Sequence, residues 1–529
     1  MDAQKLAKTL PEQKIEFLPF SSLSDLLQLE EPPLMRDGFP QLNYIERYLR
    51  KAKRPCLSVI IERYYIDRDF IHDFSAFYST SLYAYPNWCQ RIHFFSIDKN
   101  QARQELKKLS QLGANAGITD SGGAFQKACK EFSEKFYMGF SVIKPLLGSP
   151  VGRTVLRHYD SEAGKGLLRK FNCTRHYQVH LLGIDLTVCG LVFQQQDVGV
   201  SACATTAVWS SLSKTKDFEE IATPTPAQIT QLASQYLLPF GRPMPSEGLS
   251  IGQMCQAIQA VQVSPSLLKI ENPDDARGFL QSAVSSGFAP VLILESYPDD
   301  NSYHAVTAAG MKIRKVHKPT MISDRIDDEA GDLVSLYVHD DRYSPYFRAD
   351  LSTTNSALIL RLNLEDEDGN IEGTERWKLR HILIPIHGKI RLSFASLREI
   401  TIDLIKMIRA FGEIYSNRMT KIDIGTIQFR NLILRAPIYV QHLFYGQQKL
   451  ADAQRNVFNK KVLLSRYVGV ARLTSKSFGI LDILFDTTST LKNPHCLGIV
   501  ARIKNGVFPL ILAEFLSEEL KCPLIVDVR

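Results

Sequence analysis

The chain has 529 residues, 45% hydrophobic and 22% charged, with a formal net charge of +7 spread thinly along it. That balance is that of a soluble globular protein with length for roughly two to four domains. It offers no Lys/Arg run interleaved with aromatics for nucleic acid and no apolar run near the ~18 residues of a membrane span. The nine cysteines lack CxxC spacing, which argues against a disulfide framework or zinc ribbon and for a reducing compartment. With an N-terminus lacking the apolar core of a signal peptide, the expectation is a cytoplasmic protein.

From the N-terminus, Glu30-Glu31-Pro32-Pro33 breaks any helix, and Leu57 to Ile66 reads as a strand. A short helix over Arg68–Tyr78, a strand over Arg91–Ser96 and helices over Asn100–Leu112 and Ala124–Phe136 follow. This alternation predicts an N-terminal α/β region over residues 1–136. His72 and His93 stand alone in it and carry no metal signal.

From Tyr137 the texture turns to β, with strands over Gly139–Lys144, Tyr177–Leu182 and Leu186–Phe193. His176 and His180 have the i,i+4 spacing of a helical zinc site, but their segment alternates as a strand does and has no neighbouring Glu, so no metal is expected. A β-like run then ends in Gln194-Gln195-Gln196, a polar turn follows, and Cys203 opens a helix over Ala202–Leu212. A thiol at a helix N-terminus lies at the positive end of the dipole, where thiolate is favoured. A preceding glutamine side chain and the Cys203 N–H together have the chemistry of an oxyanion hole.

Thr223-Pro224-Thr225-Pro226 caps a helix over Ala227–Tyr236; others are expected over Leu249–Val261, after the turn Pro243–Gly248, and Asp274–Gly287. Two strands, Ala289–Ser296 and Tyr303–Met311, flank a Pro/Asp/Asn turn and read as a hairpin with His304 at the head of its second strand. Residues 312–332 read as an exposed loop able to shape or cover a cleft, and Leu333–His339 as a strand ending at Asp340-Asp341. The C-terminal α/β region, 351–529, brings strands over Ala357–Leu364 and Arg376–Ile386 around an acidic turn whose spacing fails as a calcium loop. A capping box Ser396-Leu-Arg-Glu399 opens a helix over Leu397–Tyr415. Strands are expected over Ile433–Val440, Leu463–Ala471, Gly479–Phe485 and Gly498–Ile503; there is no internal repeat, Walker loop or GxGxxG.

A Cys nucleophile needs a base, and the base a third group to orient it. Cys203 at a helix start, His304 on a strand and Asp340 at the next strand end supply these in order, with Asp341 the rival for the third place. This set, with Pro290-Val-Leu-Ile-Leu294 and Tyr303-His-Ala-Val306, resembles the papain-like cysteine peptidase superfamily, closest to its bacterial C39-like branch, over about residues 190–345. The resemblance implies an α+β fold, a Cys helix packed on an antiparallel sheet within 137–350, flanked by N- and C-terminal α/β regions. It implies Cys203 as nucleophile, His304 as general base and acid, Asp340 as orienter and Gln196 as oxyanion donor, with no metal or organic cofactor. Gln196 precedes Cys203 by seven residues where the family has six, which leaves Gln195 as the alternative donor. The activity implied is a thiol hydrolase acting on an amide bond of a protein or peptide substrate, through a Cys203 thioester. Deamidation, transglutaminase-type acyl transfer and an inactive papain-like scaffold are the alternatives. A scaffold predicts His304 out of bonding reach of a buried Cys203.

Overall fold

The computed structural model describes residues 14–28, 39–116, 123–146, 148–197, 199–200, 202–219, 222–235, 248–299, 302–323, 325–354, 357–365, 371–419, 421–447, 449–489 and 494–529. The Glu30–Pro33 break, most of the turn at 243–248, the end of the helix expected to reach Tyr236 and most of the acidic turn at 365–370 lie outside them. Helices and strands mix in an α+β arrangement, and among the described residues no helix is long and apolar enough to cross a membrane.

The first sheet is built from apolar runs. Strands β1 (Ile15–Pro19), β2 (Ser58–Tyr65), β3 (Cys89–Phe95), β4 (Tyr137–Ile143) and β5 (Val151–Leu156) pair in that order, antiparallel throughout. The alternation expected to give α/β character builds an antiparallel sheet here. Between β3 and β4 two helices in succession, α1 (Lys99–Ala116) and α2 (Gly123–Phe136), return the chain to the end of the sheet it left. Leu106, Leu109, Cys129 and Phe132 seal these helices to the core. After β6 (Leu167–Lys170), strands β7 (Arg175–Leu181) and β8 (Ile184–Gly190) form a hairpin. Ile184, Leu186 and Val188 point inward at a two-residue period, and the turn Leu182-Gly183 takes positive φ at both positions, 53° and 77°, as tight hairpins require.

Phe193 bridges to Thr154 and the Gln195 N–H donates to Val151 O, so the edge of the first sheet guides the chain into helix α3 (Cys203–Glu219). Helices α4 (Pro226–Ala233) and α5 (Ile251–Ala260) both open on reciprocal capping boxes, Thr225 with Gln228 and Ser250 with Gln253. Strand β9 (Val263–Lys269) and helix α6 (Pro273–Ser285) lead into the central sheet.

That sheet contains β10 (Val291–Ser296), β11 (Tyr303–Arg314), β14 (Leu333–Asp340), β15 (Ser344–Thr354), β16 (Ala357–Glu365) and β17 (Ile371–His387), with the short β12 (Met321–Ser323) and β13 (Ile326–Asp328) lying between β11 and β14 in the chain. The six pair in sequence and β17 returns to β10, closing an antiparallel barrel with β6 and β9 added on its flanks. Sheets run across positions 136 and 350, where the sequence suggests boundaries: β3 pairs with β4, and Asp350 lies within β15. Helix α3 packs on the barrel through Val208, Trp209 and Leu212 against Ile293, Ala305 and Leu383. Burial of this kind is worth roughly 1.5–3 kcal/mol per large side chain. The Thr307 hydroxyl on β11 donates to Ala207 O at 2.8 Å, tying helix to strand.

The C-terminal sheet takes β18 (Ile427–Arg435), β19 (Tyr467–Ser475), β20 (Gly479–Asp486), β21 (Cys496–Ile503) and β22 (Leu524–Val528), with helices α7 (Phe394–Arg418), α8 (Ala436–Tyr445) and α9 (Val507–Glu519). The strand expected over 433–440 stops at Arg435, because Pro437 in the first turn starts α8 instead. Helix α7 begins earlier than its expected capping box: Ser393 is the cap, its Oγ accepting from the Ser396 N–H at 3.0 Å. The stretch 312–332 is likewise no simple exposed loop. It supplies β12 and β13, and β13 joins the C-terminal sheet in parallel with β18.

Candidate active site

Cys203 is the first residue of α3 and is half-buried. The loop before it is held by a buried acid. Asp197 Oδ1 accepts from the N–H groups of Gly199 (3.1 Å) and Val200 (2.7 Å), while Oδ2 faces the Lys144 ammonium at 3.3 Å. Both side chains of that ion pair are about 1% exposed, so neither charge has water as an alternative partner. The Thr230 hydroxyl adds a bond to Val200 O at 2.8 Å. These bonds hold the segment that leads into α3 in place.

His304 enters from the other side. It sits near the start of β11, opposite Leu294 of β10, and is buried. Pairing of Thr307 with His339 carries the end of β14 to the same rim, and His304 Nε2 meets Asp340 Oδ1 at 3.0 Å. The Cys203 side chain acts on the same imidazole and favours its protonated form. The His304 ring leans on Trp377, centroids 5.6 Å apart, which fixes its plane.

Burial alone would lower the His304 pKa. The charge and hydrogen bond of Asp340, the Cys203 contact and the charge of Asp341 outweigh it and raise the group to about 10. Burial would conversely raise Asp340, but His304 and then Arg342 hold its carboxyl well below the usual carboxylate range. Asp341 Oδ1 is 3.7 Å from His304 Nε2, beyond hydrogen-bond range. Burial and the neighbouring Asp340 charge, offset by His304, push Asp341 up to about 7. Of the two acids, Asp340 is the one bonded to the imidazole.

The sequence did not reveal what holds Asp340. Arg342 donates from its backbone N–H (3.1 Å) and from Nε (3.3 Å) to Oδ1, and through its guanidinium to Oδ2 (3.2 Å). The same guanidinium reaches Glu375 Oε2 at 3.1 Å and stacks over the Trp377 ring at 5.0 Å, while Trp377 Nε1 donates to Glu375 at 2.8 Å. The run Asp340-Asp341-Arg342 was the available signal for Arg342; nothing local marks Glu375 and Trp377, which arrive through barrel pairing. His304, Asp340 and Asp341 also form the only group of three metal-type donors within 4.8 Å among the described residues. Both Asp340 oxygens already face the Arg342 cation, so the donor set fits an orienting acid better than a metal ligand.

The two candidate oxyanion glutamines differ. Gln195 is buried, its Oε1 accepting from the Val151 N–H (3.2 Å) and its Nε2 donating to Gly148 O (3.4 Å), so its amide serves the sheet edge. Gln196 is half-buried beside it. The other sequence-level candidates resolve as structure: His180 pairs with Asp185 across the β7–β8 hairpin, and His93 is buried between Tyr137 (2.9 Å) and Glu62 (3.1 Å).

Cys203 and His304 open into a cavity of about 820 Å³. Leu249, Ile251, Met254 and Ile293 give it an apolar wall, and Lys269 and Arg380 a cationic one. Arg380 is paired to Glu295 at 2.6 Å, and Tyr303 donates to the same carboxylate at 2.8 Å, which fixes that side of the opening. A volume of this size accommodates a short peptide segment or a drug-sized ligand. Comparison with protein-family models and with curated proteins returns no match for this chain.

Proposed function

We propose that this chain is a cysteine-dependent amide hydrolase of papain-like type. The observation that carries the reading is the buried His304–Asp340 hydrogen bond facing one cavity with Cys203, where a helix N-terminus meets a barrel rim. An imidazolium and a helix N-terminus are the neighbours that favour a nucleophilic thiolate. In this reading the Cys203 sulfur adds to a substrate carbonyl, and the oxyanion takes N–H donors from the start of α3 and the Gln196 amide. The His304 imidazolium then gives its proton to the departing amine, and the neutral ring takes one from the water that cleaves the thioester. Asp340 holds the ring and its charge, and Arg342 holds Asp340. The large cavity beside the sulfur, apolar on one wall and cationic on the other, supports a peptide or protein segment as substrate. The scaffold alternative requires His304 out of reach of Cys203; that the two line one cavity and that Cys203 acts on the imidazole count against it.

The test is alkylation by iodoacetamide across pH in wild type, Cys203→Ala and His304→Ala. The expected result is fast single-site labelling at neutral pH, lost in C203A and slowed in H304A. Labelling that rises only toward the pKa of a free thiol, indifferent to His304, would overturn the proposal.

A further inference from the structure

Cys496 and Cys522 stand 26 residues apart in the chain, yet the Cys496 thiol donates to Cys522 Sγ at 3.1 Å. Both are free thiols, 4% and 8% exposed. A crossover between parallel strands brings them together. Cys496 opens β21 opposite Phe485 of β20, and the chain then leaves through α9. It returns as β22, parallel to β21 with Ile499 beside Leu524, and Cys522 lies two residues before that strand. The returning chain therefore passes the start of β21 with its thiol alongside the first.

The backbone on both sides is fixed. Helix α9 ends in a paired C-terminal cap, in which the Cys522 N–H donates to Ser517 O at 3.1 Å and the Lys521 N–H to Glu518 O at 3.2 Å. Lys521 supplies the left-handed residue of that cap, with φ 50°. The Ser517 hydroxyl donates to Cys522 O at 2.6 Å, and Pro523, which follows, accepts at its carbonyl from the Ile499 N–H at 2.9 Å. A disulfide has its sulfurs about 2.05 Å apart, so closing the gap from 3.1 Å is a movement of about 1 Å. Rotation about side-chain bonds supplies that much and leaves the backbone in place. The two thiols are also unequal. The hydrogen bond from Cys496 favours thiolate at Cys522 and lowers its pKa against burial, while the same bond and burial raise Cys496.

We propose that Cys496 and Cys522 form an oxidation site, a dithiol that hydrogen peroxide converts to an intramolecular disulfide joining the start of β21 to the end of α9. The Cys522 thiolate attacks one peroxide oxygen and the O–O bond breaks. This leaves Cys522 sulfenic acid and a hydroxide, which the proton released by Cys522 turns to water. The Cys496 sulfur then attacks the sulfenic sulfur, the S–S bond forms, and the departing hydroxyl takes the Cys496 proton as a second water. The two thiols give up two hydrogens and two electrons in all, and a dithiol reductant restores them by exchange. The pair belongs to the C-terminal sheet and does not depend on the reading of the Cys203 cavity.

The experiment is peptide mapping of the full chain after excess hydrogen peroxide, with free thiols then blocked by iodoacetamide in denaturant. Trypsin separates the two cysteines into the peptides 493–502 and 522–529. The expected result is one linked species lighter by about 2 Da than the two free peptides together, formed from the native chain and lost with dithiothreitol. In Cys496→Ala the Cys522 sulfenic acid has no partner, so dimedone should label Cys522; in Cys522→Ala it should leave Cys496 unlabelled. Thermal melts verify that each variant folds, and the wild-type map stands without either. Both peptides recovered as alkylated thiols, linkage formed only when peroxide is added to the unfolded chain, or Cys522 linked to a different cysteine would overturn the proposal. Dimedone labelling of Cys496 rather than Cys522 would overturn the order of attack.

Discussion

Replacing Asp340 by Asn tests the electrostatics of the site most directly. The change keeps the shape of the side chain and removes the charge that faces both His304 and Arg342. The gap between about 10 and the ordinary 6.5 for His304 sets an upper figure of roughly 5 kcal/mol for the interactions that hold its proton. Breaking a buried ion pair by removing one partner costs about 3–5 kcal/mol. Arg342 retains Glu375, so D340N is expected toward the lower end, about 3 kcal/mol less stable at pH 5–7. The pH dependence has a fixed sign. The His304 contribution is complete below 6.5 and is lost as pH rises toward about 10. The Asp340 contribution, from a lowered pKa, is complete above the ordinary 3.8 and is lost as pH falls through the folded value. Wild type should therefore exceed D340N most between about pH 4 and 6.5, and the gap should narrow by pH 10. Urea denaturation at pH 5, 7 and 10, with iodoacetamide labelling alongside, reads both effects. A D340N protein within about 0.5 kcal/mol of wild type at pH 5, with an unmoved labelling profile, would refute the reasoning.

Three further expectations concern the supports of the site and an independent control. Lys144→Met leaves the Asp197 carboxylate buried without its cation; a loss of about 3–5 kcal/mol in urea denaturation and slower Cys203 labelling are expected, because Asp197 also ties the loop before α3. Gln196→Ala should slow the acylation burst with p-nitrophenyl acetate by about 10²–10³ with little change in melting temperature. Gln195→Ala should lower the melting temperature instead, since it strands the Val151 N–H, and equal effects of the two would refute the assignment. Asp482→Asn should destabilise the protein by about 3 kcal/mol without changing Cys203 labelling, because Asp482 lies between Arg472 (2.6 Å) and Arg502 (2.6 Å) in the C-terminal sheet. Burial opposes, but those two arginines hold Asp482 down to about 2, so its contribution is lost as pH falls from 3.8 toward that value.

Cys203, His304 and Asp340 were legible because each stands at a punctuation mark: a strand-to-helix turn, the head of a hairpin strand, a strand end. The choice of Asp340 over Asp341 was not, since adjacent residues differ only in the direction the pleat gives them. Barrel closure was equally hidden. Residues near 380 return to residues near 293, and hydrophobic alternation gives a strand its faces but not its neighbour. That is why Trp377 and Glu375, which brace the ring and the guanidinium, could not be named. Where a turn residue changed the local rule the reading slipped too: Pro437 converted an apparent apolar strand into the start of a helix. Ser393, with an Oγ that reaches the Ser396 N–H, displaced an equally plausible cap.

The bond from the Thr307 hydroxyl to Ala207 O has a consequence for control. It joins the element bearing the sulfur to the element bearing the imidazole about one turn beyond Cys203, and both elements share one packed core. In the proposed reading Cys203 and His304 are therefore preassembled rather than brought together by a hinge. If the proposed activity holds, a brake would act by blocking the doorway rather than by separating the two elements, because pulling them apart would mean unfolding the core between them.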